Sequence, residues 1–174
     1  MDKYAGFIGT RAPGELPRAR VTLYLDAARY YVAQGYIIRT GAALGADQVA
    51  AETALEAGGR VVLVLPWESY EREWRRRLET RYPGRIQTIC YSDWHVSHRV
   101  WGESVEQYHP NAARLSRGEF AIHARNYGIV RACQVVVALP RPDGGGGTGQ
   151  GLRICAGSGV TMAEAAVGYL ALHF

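Results

Sequence analysis

Short apolar segments alternate along the chain with longer segments of helical period. The two clearest apolar segments, Arg60–Leu65 and Gln134–Leu139, lack a polar face, as expected of strands buried on both sides of a parallel sheet. Between the apolar segments, hydrophobic residues recur every three or four positions, which predicts helices. The predicted strands are Tyr4–Ile8, Tyr36–Arg39, Arg60–Leu65, Gln87–Tyr91 and Gln134–Leu139.

The alternation of strands and helices predicts an α/β fold. We expect a single Rossmann-like domain over residues 1–174, with a doubly wound, mostly parallel sheet and helices on both faces. Residues 92–117 show no clean period and predict an irregular insertion with a short helix and a loop. The tail, Val160–Phe174, predicts a short strand and then a helix. The predicted helices are Arg18–Ala33, Ala46–Ala57, Tyr70–Tyr82, Glu119–Ala132 and Thr148–Ala156.

The segments that follow the strands are the candidate ligand contacts. In open parallel sheets, ligands bind outside the carboxyl ends of the strands. We therefore expect four segments to converge on one edge of the sheet. They are Gly9–Arg11, Thr40–Asp47, Pro66–Tyr70 and Pro140–Gln150.

The glycine-rich loop Asp143–Gly151 carries the strongest signal. It lies between a buried strand and a helix, where glycines allow close backbone approach and the helix start offers free N–H groups to a phosphate. Thr148 can cap the helix or donate to a phosphate oxygen. The alternative is a flexible surface loop. The GK[ST] ending of a Walker loop is missing, and no GxGxxG follows the first strand, which disfavours a dinucleotide dehydrogenase. The predicted contacts are Gly145, Gly146, Gly147, Thr148, Gly149 and Gln150.

Two further segments predict ligand contacts. After the first strand, the Arg11 guanidinium is well shaped for a phosphate, although a plain surface arginine is the alternative. After the second strand, Asp47 lies in the first turn of a helix, where it can complement the helix dipole or bind a ribose or base. Glu52 could act as a general base only if the fold brings it to the site. The remaining candidate contacts are Gly9, Thr10, Gly41, Ala42, Gly45, Trp67, Arg125 and Asn126.

Charge and cysteine content narrow the function classes. The chain is 48% hydrophobic and 21% charged, which disfavours disorder, and its net charge of +4 favours polyanionic partners. The cysteines are odd in number and far apart, and no histidines have metal-ligand spacing, so we expect no disulfide, metal or cofactor. No apolar stretch is long enough to span a membrane and the chain opens on a strand, so we expect a cytoplasmic protein without a membrane partner. A run of arginines forms either a solvated helix face or a phosphate-binding patch. These are Arg72, Arg75, Arg76, Arg77 and Arg81.

Taken in order, the motifs resemble the SLOG superfamily, which joins the DNA-processing protein DprA with the "lonely guy" (LOG) phosphoribohydrolases. The likeness covers roughly Tyr4 to Ala156, and the segment HPNAARLSRGEFAIHARN is similar to phage-encoded DprA-like proteins. The other matching segments are GTR, TGAALGAD, LPW and DGGGGTGQGLRIC. The resemblance implies a homo-oligomer. LOG loops end in a glutamate that assists hydrolysis, but Gly151 stands in its place here, which favours binding without turnover.

Three functions therefore remain open. The first is binding of a nucleotide-type phosphorylated ligand (a nucleotide, a cyclic nucleotide or an ADP-ribose derivative). In this hypothesis the protein is phage-encoded, lies in the host cytoplasm, and sequesters the ligand as a signal of host immunity. The second is DprA-like binding of single-stranded DNA, in which Trp67 and Trp74 stack on bases. The third is hydrolysis of the N-glycosidic bond of a nucleoside monophosphate, with Glu52 or Asp47 as the acid–base group.

Overall fold

The core of the fold is a parallel β-sheet. The structure, a computed structural model, describes residues 2–91 and 97–164. Within these residues, six strands pair in the order β4-β3-β2-β1-β5-β6, and every neighbouring pair is parallel. The strands are β1 (Lys3–Gly9), β2 (Tyr36–Thr40), β3 (Val61–Leu65), β4 (Ile86–Cys90), β5 (Val135–Leu139) and β6 (Thr161–Glu164).

Helices cover both faces of this sheet. Strand residues alternate between two buried clusters: Leu63 packs with the residues of α1, α2 and α3, whereas Val62 and Val64 pack with those of α4, α5 and α6. This two-sided burial explains why β3 and β5 are apolar throughout. The doubly wound α/β fold predicted from the sequence is thus confirmed. The helices are α1 (Arg18–Ala33), α2 (Ala46–Glu56), α3 (Arg72–Arg81), α4 (Ser97–Tyr108), α5 (Arg117–Val130) and α6 (Gly146–Ser158).

The strand order places a crevice at the carboxyl ends of β1 and β5. The chain runs outward from β1 through β4, and β5 then returns to the other side of β1, with Ala5 opposite both Ile38 and Val135. Connections that leave in opposite directions from neighbouring strands open a gap between the loops, which is where ligands bind in such sheets.

Of the insertion predicted at residues 92–117, the structure describes residues 97–117, and these contain a longer helix than the sequence predicts. α4 has 12 residues, and Trp101 and Val105 on one of its faces are buried against α5 and the sheet. The Trp101 ring reaches α5 because residue 128 is glycine, since a Cβ there would lie 2.2 Å from the ring. The helical period of α4 is hard to recognise in the sequence because exposed polar residues and the exposed Val100 interrupt its apolar face. The short tail strand is confirmed as β6, and the predicted tail helix lies outside the described residues.

Candidate functional site

A cavity of about 380 Å³ occupies the crevice at the carboxyl ends of β1 and β5. We call it the main cavity. The segments after β1, β2 and β5 meet there, together with one face of α5. Its volume lies within the range of ordinary small-molecule sites. The predicted contacts that line it are Gly9, Thr10, Arg11, Asp47, Arg125, Asn126, Gly145, Gly146, Gly147 and Thr148.

The start of α6 offers unused backbone donors to the main cavity. Residues 145–148 line the cavity, and no side chain caps the helix. The amides of Gly146, Gly147 and Thr148 have no acceptor among the described residues, whereas the start of α5 is closed by a full capping box between Ser116 and Glu119. Free N–H groups and the positive end of a helix dipole together suit an anion.

The loop before α6 is held in place by its own contacts. Asp143 accepts a hydrogen bond from the Gly145 amide at 3.0 Å and forms an ion pair with Arg141 at 2.8 Å. At Gly149, a Cβ would lie 2.1 Å from the Gly144 carbonyl oxygen, so the loop can fold back onto the helix only because residue 149 is glycine. Gly149 therefore shapes the loop and does not line the cavity.

A buried ion pair lies at the cavity wall. The Arg125 Nη1 donates to Asp47 Oδ2 at 3.2 Å, and the two side chains are only 4% and 5% exposed. Burial raises the pKa of Asp47, although Arg125 and the Ala43 amide, which also donates to Oδ2, act to lower it. The Nε of Arg125 has no hydrogen-bond partner among the described residues. The cavity thus borders a guanidinium with an unused donor.

Gly41, Ala42 and Gly45 stand behind the cavity and do not line it. A Cβ on Gly41 would lie 0.8 Å from Nη1 of Arg125, so this glycine makes room for the buried guanidinium. Ala42 is fully buried, and its carbonyl accepts from Gln48 Nε2 at 3.3 Å. Gly45 lies against the backbone of Arg11. All three shape the loop that carries Asp47, and their assignment as ligand contacts stays a prediction.

A chain of hydrogen bonds connects α5 to the glycine-rich loop. Asn126 Nδ2 donates to the Gly147 carbonyl at 3.3 Å and to Gln150 Oε1 at 3.0 Å. Because Oε1 can only accept, His123 Nδ1, at 2.8 Å from it, must carry a proton, and Nε2 of the neutral ring is left as an acceptor. Burial lowers the pKa of His123, which favours the neutral ring. Gln150 itself is fully buried and lies behind the lining.

His123 is a cavity residue that the sequence reasoning missed. It lines the main cavity beside Asn126, and its ring lies 4.3 Å from that of His109, measured between centroids. In the sequence analysis, the histidines were considered only as possible metal ligands. The available signal was position, because His123 stands one helical turn before Asn126 and so shares a face with it.

Arg11 is the lining cation without an acidic partner among the described residues. Arg125 is paired with Asp47 and Arg141 with Asp143, and the Glu119 carboxylate accepts from the backbone and hydroxyl of Ser116. Arg11 is exposed and follows directly on β1. Its charge is available to a ligand at the cavity mouth.

Two other candidates lie away from the main cavity. Glu52 accepts a hydrogen bond from Trp74 Nε1 at 2.7 Å on the side of α2 that faces α3, so the fold does not bring it to the cavity. Trp74 is only 6% exposed, which corrects the expectation that it stacks on bases. Trp67 lines a second cavity.

Across the described residues, no group of three or more His, Cys, Asp and Glu side chains is arranged to hold a metal ion. The three cysteines are buried and free of disulfides, and burial raises the pKa of Cys133 to about 12 and that of Cys155 to about 11. No helix in the same part of the chain is long and apolar enough to cross a membrane.

The fold is the Rossmann-like α/β fold that the solved structures of DprA and of molybdenum cofactor carrier proteins share. The chain is similar to DprA from Streptococcus pneumoniae, with a TM-score of 0.62 and 15% identity over 94% of this chain and 50% of that one. It is also similar to Helicobacter pylori DprA, a protein studied for its single-stranded DNA binding, with a TM-score of 0.61 and 17% identity over 93% and 64% of the two chains. The chain thus spans 50% and 64% of the lengths of these two DprA chains.

A second group of solved structures shares the same architecture. The molybdenum cofactor carrier protein of Chlamydomonas reinhardtii aligns with a TM-score of 0.57 and 14% identity, over 94% of this chain and 76% of that chain. No protein-family model matches the chain, and no curated protein sequence matches it. At these identities the likeness establishes the fold, and the resemblance drawn from the sequence motifs is confirmed at that level.

Proposed function

We propose that this protein binds a nucleotide-type phosphorylated ligand in the main cavity, with the phosphate at the start of α6. The observation that carries the proposal is the uncapped α6 N-terminus, whose free amides border the cavity. The exposed Arg11 adds positive charge beside it, whereas the charge of the buried Arg125 is balanced by Asp47. These features together favour an anion that is partly enclosed.

The proposal is for binding without hydrolysis. Gly151 occupies the place of the LOG glutamate, and a Cβ at this position would lie 2.5 Å from Cδ1 of Ile8. A side chain at this position would have to displace the end of the Ile8 side chain. Glu52 is held by Trp74, and Asp47 is held by Arg125. A binder of this kind suits the sequestration of a signalling nucleotide, which is the anti-defence role proposed for a phage-encoded member. The homo-oligomer implied by the resemblance stays a prediction.

The Arg11→Gln substitution tests the phosphate contact. We expect about tenfold weaker ligand binding, because a charge-assisted hydrogen bond contributes about 1.5–3 kcal/mol and 1.4 kcal/mol corresponds to a factor of ten. Isothermal titration calorimetry with nucleoside phosphates, cyclic dinucleotides and ADP-ribose identifies the ligand and then compares the variants. Arg18→Gln is the matched control, since Arg18 is exposed and does not line the cavity. Failure of every compound to bind at millimolar concentration would contradict the proposal.

A second candidate function is binding of single-stranded DNA. The outer face of α3 carries exposed arginines without acidic partners among the described residues: Arg72, Arg76 and Arg77. Arg75 instead donates to the carbonyls of Tyr70 and Glu68, and Arg81 lies 3.9 Å from Glu56. Three arginines of the run thus remain available for phosphates.

Replacing Arg72, Arg76 and Arg77 together with glutamine tests this candidate. Each phosphate contact to a single strand contributes about 0.7 to the slope of log K against log salt concentration, so the slope should fall by about 2. Fluorescence anisotropy of a labelled oligonucleotide at several salt concentrations measures the slope. A wild-type protein that binds no oligonucleotide at low salt, or a slope unchanged in the triple variant, would exclude this surface.

A further inference from the structure

A second cavity, of about 560 Å³, lies beside the main cavity. We call it the aromatic cavity. It is formed after β3 and β4 and at the start of α5, so it shares the carboxyl edge of the sheet. Its principal lining residues are Pro66, Trp67, Tyr91, Arg117, Phe120 and Ala121.

The two cavities are neighbours across the first turns of α5. Glu119, Ile122 and His123 line the main cavity, whereas Phe120 and Ala121 line the aromatic cavity. The separation is therefore about the width of one helix, roughly 10 Å. One ligand with two linked units can reach both.

The aromatic walls are fixed by neighbouring rings. Trp67 packs edge-on against Tyr70, with ring centroids 5.2 Å apart, and Tyr91 stacks on Trp101 at 5.8 Å and 10°. On α4, Gly102 faces both Phe120 and the Tyr91 hydroxyl, each about 3.6 Å from where a Cβ would stand. These contacts hold the half-buried rings in place before any ligand enters.

One cation stands at the aromatic cavity. Arg117 lines it, is exposed, and has no acidic partner among the described residues. An apolar space with aromatic walls beside an unpaired guanidinium is complementary to a planar ring that carries a nearby negative charge. An uncharged aliphatic occupant would leave this charge unused.

We propose that the aromatic cavity is a binding site for a nucleobase, with Arg117 contacting the phosphate attached to it. The proposal rests on the proposed function of the main cavity, because it makes the ligand one with at least two nucleotide units, one for each cavity. Such a base can come from a small dinucleotide or from a strand of nucleic acid. Both sources offer the same chemistry to Trp67 and Arg117.

Calorimetry with a graded set of ligands tests the proposal. The set comprises adenosine, adenosine monophosphate, a linear adenine dinucleotide, the same dinucleotide with its second base removed, and a ten-nucleotide adenine strand. We expect the intact dinucleotide to bind at least about fivefold more tightly than the mononucleotide, since stacking on an aromatic side chain gives at least this factor. The abasic dinucleotide should lose the gain. A further gain with the ten-nucleotide strand assigns the natural source to nucleic acid, and equal affinity assigns it to a dinucleotide.

Matched variants tie the gain to the aromatic cavity. Trp67→Ala should abolish it by removing a wall, and Ala121→Phe should abolish it by filling the space, so that two opposite changes give one result. Arg117→Gln should weaken dinucleotide binding severalfold. Tyr30→Ala and Arg114→Gln are the controls, since both residues are exposed and lie outside the cavity lining. Circular dichroism checks that each variant is folded.

The failures of the two proposals are distinguishable. If the mononucleotide binds but the dinucleotide gains nothing, or if the gain survives in Trp67→Ala and Ala121→Phe, the aromatic site is wrong and the proposed function stands. If adenosine without phosphate binds as tightly as the phosphorylated ligands and depends on Trp67, the aromatic site stands and the phosphate proposal is wrong. If no ligand of the set binds, both are overturned.

Discussion

Replacing Arg125 with methionine should destabilise the protein by about 3–5 kcal/mol, because it leaves the Asp47 carboxylate buried without a counter-charge. The two side chains are almost fully buried, and Nη1 of Arg125 is 3.2 Å from Oδ2 of Asp47. Methionine retains much of the length and apolar contact of arginine, so the loss reports mainly on the charge. Chemical denaturation monitored by circular dichroism measures the free energy of unfolding of both proteins.

The effect of this substitution should depend on pH in a defined direction. Burial raises the pKa of Asp47 above its value in an unfolded chain, and Arg125 partly offsets this. A carboxyl whose folded pKa is raised contributes stability below its unfolded pKa and loses it as pH rises through the folded pKa. Removing Arg125 enlarges the shift. The difference between wild type and variant should therefore be larger at pH 7 than at about pH 4.

The double variant Asp47→Asn/Arg125→Met is the control for the charge argument. It contains neither buried charge, and the asparagine oxygen can still accept from the Ala43 amide, 3.3 Å away in the wild type. Most of the lost stability should return. If the double variant is as unstable as Arg125→Met alone, packing of the arginine stem and not the unpaired carboxylate is responsible.

The parts of the fold that could be predicted from the sequence are those that depend on a pattern within a single segment of the chain. β3 and β5 are apolar on both faces, and this burial is visible in the residues themselves. The position of the candidate ligand site at the carboxyl edge of the sheet was also predictable, because in parallel sheets ligands bind at this edge and the glycine-rich loops follow the strands there. α6 begins at Gly146, two residues before the predicted start, since the poor helix propensity of glycine hides the first turn.

The partners within the site were not predictable, because they join distant parts of the chain. Asp47 and Arg125 are 78 positions apart, and no local pattern relates them. Gly41 was predicted as a ligand contact, but its lack of a side chain makes room for Arg125. Glu52 was a plausible base by type alone, and only the packing of α2 against α3 places it beside Trp74. Composition identifies the loops, whereas the long-range contacts decide which residues face the ligand.

Replacing Gly45 with alanine should cost about 2–6 kcal/mol, for two independent reasons. Gly45 has φ +96° and ψ −127°, a conformation whose strain for other residues is about 1–3 kcal/mol. An added Cβ would also lie 2.5 Å from the carbonyl oxygen of Arg11, and displacing packed atoms costs about another 1–3 kcal/mol. Because the obstacle is backbone, no side-chain rotation can relieve it. Denaturant unfolding provides the measurement.

Gly58→Ala separates the two reasons. Gly58 has φ +88°, but a Cβ there would meet nothing within 4 Å, so this variant carries the backbone strain alone and should lose about 1–2 kcal/mol. Equal losses in the two variants would show that the contact with Arg11 is not tight. If the Gly45 variant loses more stability than the Gly58 variant, its ligand affinity should fall as well. The added Cβ would displace the Arg11 backbone, which lies next to the hydrogen bond from the Ala46 amide to the Thr10 carbonyl at 3.0 Å. Gly45 would then act on the ligand only through the position of the Arg11 guanidinium, which explains how a glycine outside the cavity lining controls binding within it.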